Sequence, residues 1–137
     1  ALTLAHEKIW LEKNGRPDLS KLVQFIPTQF AMGFDIYSRE LDATMRHIEV
    51  KTTVSQKDFT VNRVHLTPNE WAAAESHRSR YFIYRLQLSS ESCSLWIIQD
   101  PVGLYKQDRI KMVPRNGADI FFDESCYKQV ELLRTHG

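Results

Sequence analysis

The 137-residue sequence is poor in the features that organise several whole classes of protein. It has two cysteines, Cys93 and Cys126, far apart and in no C-x-x-C pair. A disulfide framework and a cysteine zinc site are both excluded, and a reducing, intracellular setting is expected. The five histidines, His6, His47, His65, His77 and His136, hold no pair at zinc-ligand spacing. No apolar run approaches the roughly 18 residues of a bilayer span, so no membrane partner is expected. The longest, around Leu95-Trp96-Ile97-Ile98, is short and interrupted. Glycine and proline number five each, which excludes collagen-like and low-complexity chains. There is no repeat and no signal-peptide pattern. Charge of one sign is missing as well. The formal net charge is +1, so no global basic field exists, and contact with nucleic acid has to come from local patches.

What is present fits one globular domain, 1–137, with 42% hydrophobic residues and length enough for a single core. It begins at Ala1 and enters a helix-like segment at once, as a domain excised from a longer protein would. Leu4–Lys13 reads as a helix capped by Thr3 and ended at Asn14-Gly15. Its apolar residues lie on more than one face, as in a well-buried helix. Lys21–Ile26 and Gly33–Tyr37 read as strands, Arg39–Thr44 as a polar turn, and Arg46–Thr53 as a third strand. In that strand Ile48, Val50 and Thr52 share one face, and Glu49 and Lys51 the other. Phe59–Leu66 reads as a short strand. Thr67-Pro68-Asn69-Glu70 is a helix start with a capping box, and the helix runs to about His77. Arg80–Leu88, apolar on both sides, reads as a central strand. A turn at Ser89–Ser92 returns it as a hairpin through Ser94–Gln99, which Asp100-Pro101 stops. Asp123 reads as the cap of a last helix, Glu124–Thr135. The order predicts an α/β (α+β) fold with a mixed sheet flanked by helices.

The chemistry concentrates where acids sit in apolar strands. Gly33-Phe34-Asp35-Ile36 carries one, and Ile48-Glu49-Val50-Lys51 carries another followed by a lysine. Buried acids are unfavourable unless something pairs with them. On adjacent strands, Asp35 and Glu49 with Lys51 beside them form an acid–acid–base cluster. Such a set suits Mg²⁺ or Mn²⁺, hard cations that take one or two carboxylates plus waters and phosphate oxygens. The Val50 carbonyl lies between the two functional side chains as a third oxygen. Lys51 is then placed to orient an attacking water or offset charge on a phosphoryl transition state. A salt-bridged hairpin would give the same pattern in sequence.

These strings resemble the PD-(D/E)xK, restriction-endonuclease-like, superfamily of phosphodiesterases. Asp35 matches the motif's Asp, Glu49 its second acid and Lys51 its lysine. The chain is more closely similar to the domain at the C-terminus of the NO VEIN protein and of bacterial helicase- and restriction-associated proteins. Gly33-Phe34-Asp35-Ile36, Ile48-Glu49-Val50-Lys51-Thr52, Leu66-Thr67-Pro68-Asn69-Glu70-Trp71 and Tyr81-Phe82-Ile83-Tyr84-Arg85 stand in that family's order. The motif's proline before the aspartate is absent, and nothing after Pro101 matches. The resemblance implies a Mg²⁺-dependent endonuclease domain acting on DNA in restriction or defence, attached to other domains such as a helicase or ATPase. It also implies that a first-helix glutamate, here Glu7, joins the metal site. Cleavage of both strands would call for a homodimer. The alternative is the same fold, weak or inactive in cleavage, that docks DNA or a protein.

Two basic stretches are candidate nucleic-acid contacts. One holds Arg78, Arg80 and Arg85; the other holds Lys106, Arg109, Lys111 and Arg115. Asn69 is free to face a substrate, while Glu70 is accounted for by the capping box. His47 is expected to point away from the face of Glu49, in a core or surface role. Trp10, Trp71 and Trp96 are expected as core anchors rather than base-stacking platforms.

Overall fold

A computed structural model describes residues 1–54, 62–88 and 93–134 of the chain. The first helix, α1 (Leu2–Lys13), starts one residue before Thr3, which is buried inside it and does not cap it. The helix is not apolar all round. Thr3, His6, Glu7 and Leu11 form its buried side, so three polar residues and one leucine face the protein. A short helix, α2 (Pro17–Ser20), follows where a strand was expected to begin nearby. Pro17 at its first position favours a helical turn, and Pro27 closes the segment. Only Gln24–Phe25 (β1) is left in extended pairing.

The second strand, β2 (Ile36–Arg39), begins later than the sequence suggests, because Gly33 has φ +80 and cannot continue a strand. β2 turns through Glu40–Ala43 into β3 (Met45–Val54) as the expected antiparallel hairpin. β4 (Arg63–Leu66) leads into α3 (Pro68–His77), whose capping box forms as anticipated. Residues 59–61 and the turn at Ser89–Ser92 lie outside the described residues. A short 3₁₀ turn at Arg78–Arg80 delivers the chain to β5 (Tyr81–Leu88). β5 runs parallel to β3, with Glu49 opposite Ile83 and Lys51 opposite Arg85. β6 (Cys93–Gln99) pairs antiparallel on its other side. β5 is thus central, and residues 81–87 are all buried.

The segment that matched nothing in sequence has structure of its own. Asp100 does not merely stop a strand; its side chain accepts the Gly103 N–H and caps α4 (Pro101–Lys106). β7 (Lys111–Pro114) and β8 (Ala118–Phe121) join β4 in a small antiparallel sheet ordered β4-β8-β7. The expected last helix, Glu124–Thr135, is absent from the described part of that range. Asp123 caps only a 3₁₀ turn, Glu124–Cys126, and Lys128–Glu131 forms β9. β9 covers the open edge of β6, with Tyr127 stacked on Trp96 at 4.4 Å. Pairing that edge outweighs local helix preference.

Among the described residues the large sheet runs β1-β2-β3-β5-β6-β9, mixed and flanked by helices, as the sequence predicts. Strand alternation gives it two cores. One face carries Ile36, Ile48, Phe82, Tyr84 and Leu95 against Leu11 of α1. The other carries Tyr81, Ile83 and Ile98 against α3, α4 and the small sheet. Trp10, Trp71 and Trp96 are half-buried and pack at the margins of these cores. Among the described residues no helix is long and apolar enough to cross a membrane.

Candidate active site

The acids come together because a hairpin and a glycine aim them. Gly33 bends the chain just before β2, and a side chain there would collide with the Asn69 carbonyl and come within 2.7 Å of Ala73 Cβ. The Gly33 carbonyl accepts the Tyr81 hydroxyl at 2.9 Å. The loop is therefore packed onto the first turns of α3, with Asp35 next in line. Asp35 N–H donates to the Ile48 carbonyl at 2.8 Å, and the Asp35 carboxylate accepts the Val50 N–H at 2.8 Å. One residue of β3 is thus held by its neighbour's side chain where β2 has ended. Val50's N–H and carbonyl leave β3 on the same side, so the carbonyl also faces the Asp35 edge.

Glu49 and Lys51 project from the opposite side of β3 to Ile48, towards α3. The Glu49 carboxyl is 7% exposed and lies 3.4 Å from Lys51 Nζ. It is in hydrogen-bond contact with Asp35. Burial first, then the charges of Asp35 and Glu70, push the Glu49 carboxyl up to about 9, against the opposing pull of Lys51. Lys51 Nζ makes its shorter contact, 2.7 Å, with Glu70 Oε1. A cleft of about 240 Å³ opens here, lined by Gly33, Asp35, Glu49, Asn69 and Glu70. A second, more apolar cleft of about 390 Å³ meets it at Asp35 and is lined by Leu2, Thr3, Val50 and Thr52.

The structure therefore brings Asp35, Glu49, Val50, Lys51 and Asn69 to one place, and adds Glu70. Glu70 escaped the sequence reading because the capping box already explained it. The signal was present in its position, one helix start after the strand that carries Lys51. Glu7 is not brought there. Its carboxylate, 1% exposed, lies across the sheet, 3.1 Å from Arg46 Nη1, and accepts the Tyr84 hydroxyl at 2.9 Å. Arg46 and Tyr84 belong to the α1 face, which Glu49 does not share. A larger cavity of about 490 Å³ lies beside this pair, and its buried ions answer one another. His47 corrects a further expectation. It shares the α3 face with Glu49, stacked on His77 at 3.8 Å, with its ring nitrogen 3.1 Å from the Arg80 carbonyl. Positions 47, 49 and 51 alternate together, so pointing away was never open to it.

The basic residues divide. Arg85 is buried beneath the rings of Trp96 and Phe122, at 5.5 and 5.6 Å, and is no part of a surface patch. Arg78 pairs with Asp100 at 3.3 Å, and Arg109 donates to the Ser125 carbonyl at 2.6 Å. Arg80, Lys106, Arg109, Lys111 and Arg115 are exposed, Arg115 pairing with Asp119 at 3.6 Å.

The oxygen-only donor set fits a hard divalent cation. Two neighbouring carboxyls, one of them pushed toward its protonated form first by burial and then by the charges of Asp35 and Glu70, suit such a cation. Among the described residues no three His, Cys, Asp or Glu side chains are placed to enclose a metal, so water and phosphate oxygens would complete the shell.

The family model described as "Protein NO VEIN, C-terminal" matches residues 12–98. The chain belongs to this family. The match spans the hairpin, α3 and the β5–β6 pair, and so takes in Asp35, Glu49, Lys51 and Glu70. A solved structure titled "Restriction endonuclease in complex with substrate DNA" is similar over 96% of this chain and 69% of that one, at 13% identity and a TM-score of 0.42. No curated protein matches the chain.

Proposed function

We propose that this member of the NO VEIN C-terminal family is a divalent-metal-dependent endonuclease domain that hydrolyses DNA phosphodiester bonds, in a restriction or defence setting. The observation that carries the reading is the Asp35–Glu49 contact with Lys51 alongside. Burial and the neighbouring acids push the Glu49 carboxyl up to about 9, and a cation bound there would offset that cost. Asp35, Glu49 and the Val50 carbonyl would hold Mg²⁺ or Mn²⁺. The cation supplies Lewis-acid polarisation of the scissile phosphate and of a water. The chain's own residues do the rest. Asp35, fixed by the Val50 N–H, keeps its carboxylate aimed. Glu49 would give up its proton to hold the cation, and so supply the second carboxylate charge. Lys51 presents an ammonium to the charge that develops on the phosphoryl oxygens. Asn69 is exposed and lines the cleft, which supports a role for it in donating to the substrate backbone. DNA as substrate is what the resemblance of the four motifs implies.

The test is plasmid incubated with the domain in Mg²⁺, in Mn²⁺ and in EDTA, beside Glu49→Gln. Nicking or cutting in either metal, absent with EDTA and with the variant, is expected. Cleavage that survives EDTA would remove the reading.

One observation favours the second reading, a docking module with weak cleavage. Net charge is +1, and Arg78 and Arg109, though at the surface, are each bonded to a neighbouring group, so DNA capture falls to a few exposed cations or to other domains of a parent protein. Cleavage of both strands by one such centre would need a homodimer.

A further inference from the structure

Glu70 serves two partners with one oxygen. Its Oε1 accepts the Thr67 N–H at 3.0 Å, and Thr67 Oγ1 accepts the Glu70 N–H at 3.3 Å, which closes the capping box. The same Oε1 accepts from Lys51 Nζ at 2.7 Å, closer than Lys51 comes to Glu49. A cap has no need of a lysine, and the box would form equally well in water. The lysine, however, has need of an anchor. Its stem is flexible, and with Glu49 as its only acidic neighbour it would settle on the carboxylate that the metal reading reserves for a cation.

The anchor is itself held. The capping box fixes where Oε1 sits relative to the first turn of α3. Gly33 packs that turn against the loop leading to Asp35, and the Tyr81 hydroxyl ties the same loop to β5. The start of α3, the Asp35 loop and β3 are thus in mutual register, and Lys51 is tied to the register through Glu70. We infer that Glu70 is a positioning residue. It draws the Lys51 ammonium to the α3 side of the cleft, 2.7 Å from Glu70 and 3.4 Å from Glu49. This rests on the reading of Lys51 as part of the site, and goes beyond it by naming what holds the lysine in place.

Two variants separate positioning from capping. Glu70→Gln keeps an acceptor for the Thr67 N–H, so the capping box survives, but the bond to Lys51 loses its charge assistance. Thr67→Ala breaks the box and leaves the Glu70 carboxylate intact. The readout is acetylation of Lys51 by acetic anhydride, followed by mass spectrometry, with melting temperature and single-turnover cleavage in Mn²⁺ alongside. Glu70→Gln is expected to leave the melting temperature within about 1 °C, raise Lys51 labelling about threefold or more, and slow cleavage about tenfold. Thr67→Ala is expected to lower the melting temperature by about 3 °C without raising Lys51 labelling. Labelling unchanged in Glu70→Gln overturns the inference, because Glu70 is then a cap alone. Labelling raised equally in both variants also overturns it, because the helix start rather than the carboxylate then holds the lysine. Labelling raised in Glu70→Gln but not in Thr67→Ala, in a domain whose wild type cleaves nothing, upholds the positioning and overturns the nuclease reading.

Discussion

In the proposed reaction the chemistry turns on Glu49, and its proton makes a measurable signature. Its folded value, pushed up to about 9, lies above the ordinary carboxylate value of 4.5. Between about pH 4.5 and 9 the folded domain therefore holds a proton that the unfolded chain has released. Stability falls with rising pH across that window, by up to ~1.4 kcal/mol per pH unit. Below 4.5 both states are protonated and the penalty is absent. Three buried or partly buried histidines act in the opposite sense. Burial lowers His6, His47 and His77, so the unfolded chain binds protons first, and stability is lost as pH falls below about 6.5. In metal-free buffer, thermal melts of the wild type should decline on both limbs. Glu49→Gln, which resembles the protonated form, should lose the alkaline decline and keep the acid one. Identical alkaline limbs in the two proteins would place the Glu49 carboxyl in the ordinary carboxylate range and remove the reason to expect a cation beside it.

At the scale of elements, the β2–β3 hairpin and the start of α3 are the parts that must stay in register, and Gly33 is where they meet. A methyl group there would face the Asn69 carbonyl and Ala73 Cβ, on a backbone with φ +80. Gly33→Ala is expected to lower stability by about 2–3 kcal/mol in denaturant titration, from strain plus overpacking. Because the same loop carries Asp35, it should weaken Mn²⁺ binding as well. These elements were legible in the sequence because local signals agreed. Apolar alternation marked β3, the Thr67–Glu70 box marked α3, and the two-sided apolar run marked β5. The elements after Pro101 were not legible. β9 exists because β6 has an open edge and Trp96 offers a ring to Tyr127, facts of tertiary pairing that Lys128–Glu131 does not announce. The buried side of α1 was misread for a similar reason. Glu7 is buried because Arg46 and Tyr84, 39 and 77 residues away, receive it.

Over the whole molecule, the balance of charge sets what the domain does alone. With a net charge of +1, the proposed DNA binding would rest on exposed Arg80, Lys106 and Lys111 rather than on a field. Each phosphate contact contributes a slope of about −0.9 in log affinity against log salt. Lys106→Ala with Lys111→Ala should weaken binding to all sequences alike and flatten the slope by up to about two units. An unchanged slope would make that surface an ordinary solvated face and move the DNA path elsewhere. The proximity of Asp35, Glu49 and Lys51 was readable from two short strings, whereas Glu70's hold on Lys51 and the exclusion of Glu7 needed the packed fold. The most direct test of the central claim is calorimetric titration of Mn²⁺ into the wild type, Asp35→Asn and Glu49→Gln at one pH. The account predicts one binding event in the wild type, with protons released as Glu49 ionises, and none in either variant while both remain folded. Unchanged affinity in Glu49→Gln would contradict it, and would leave the acid pair as a structural contact between two strands.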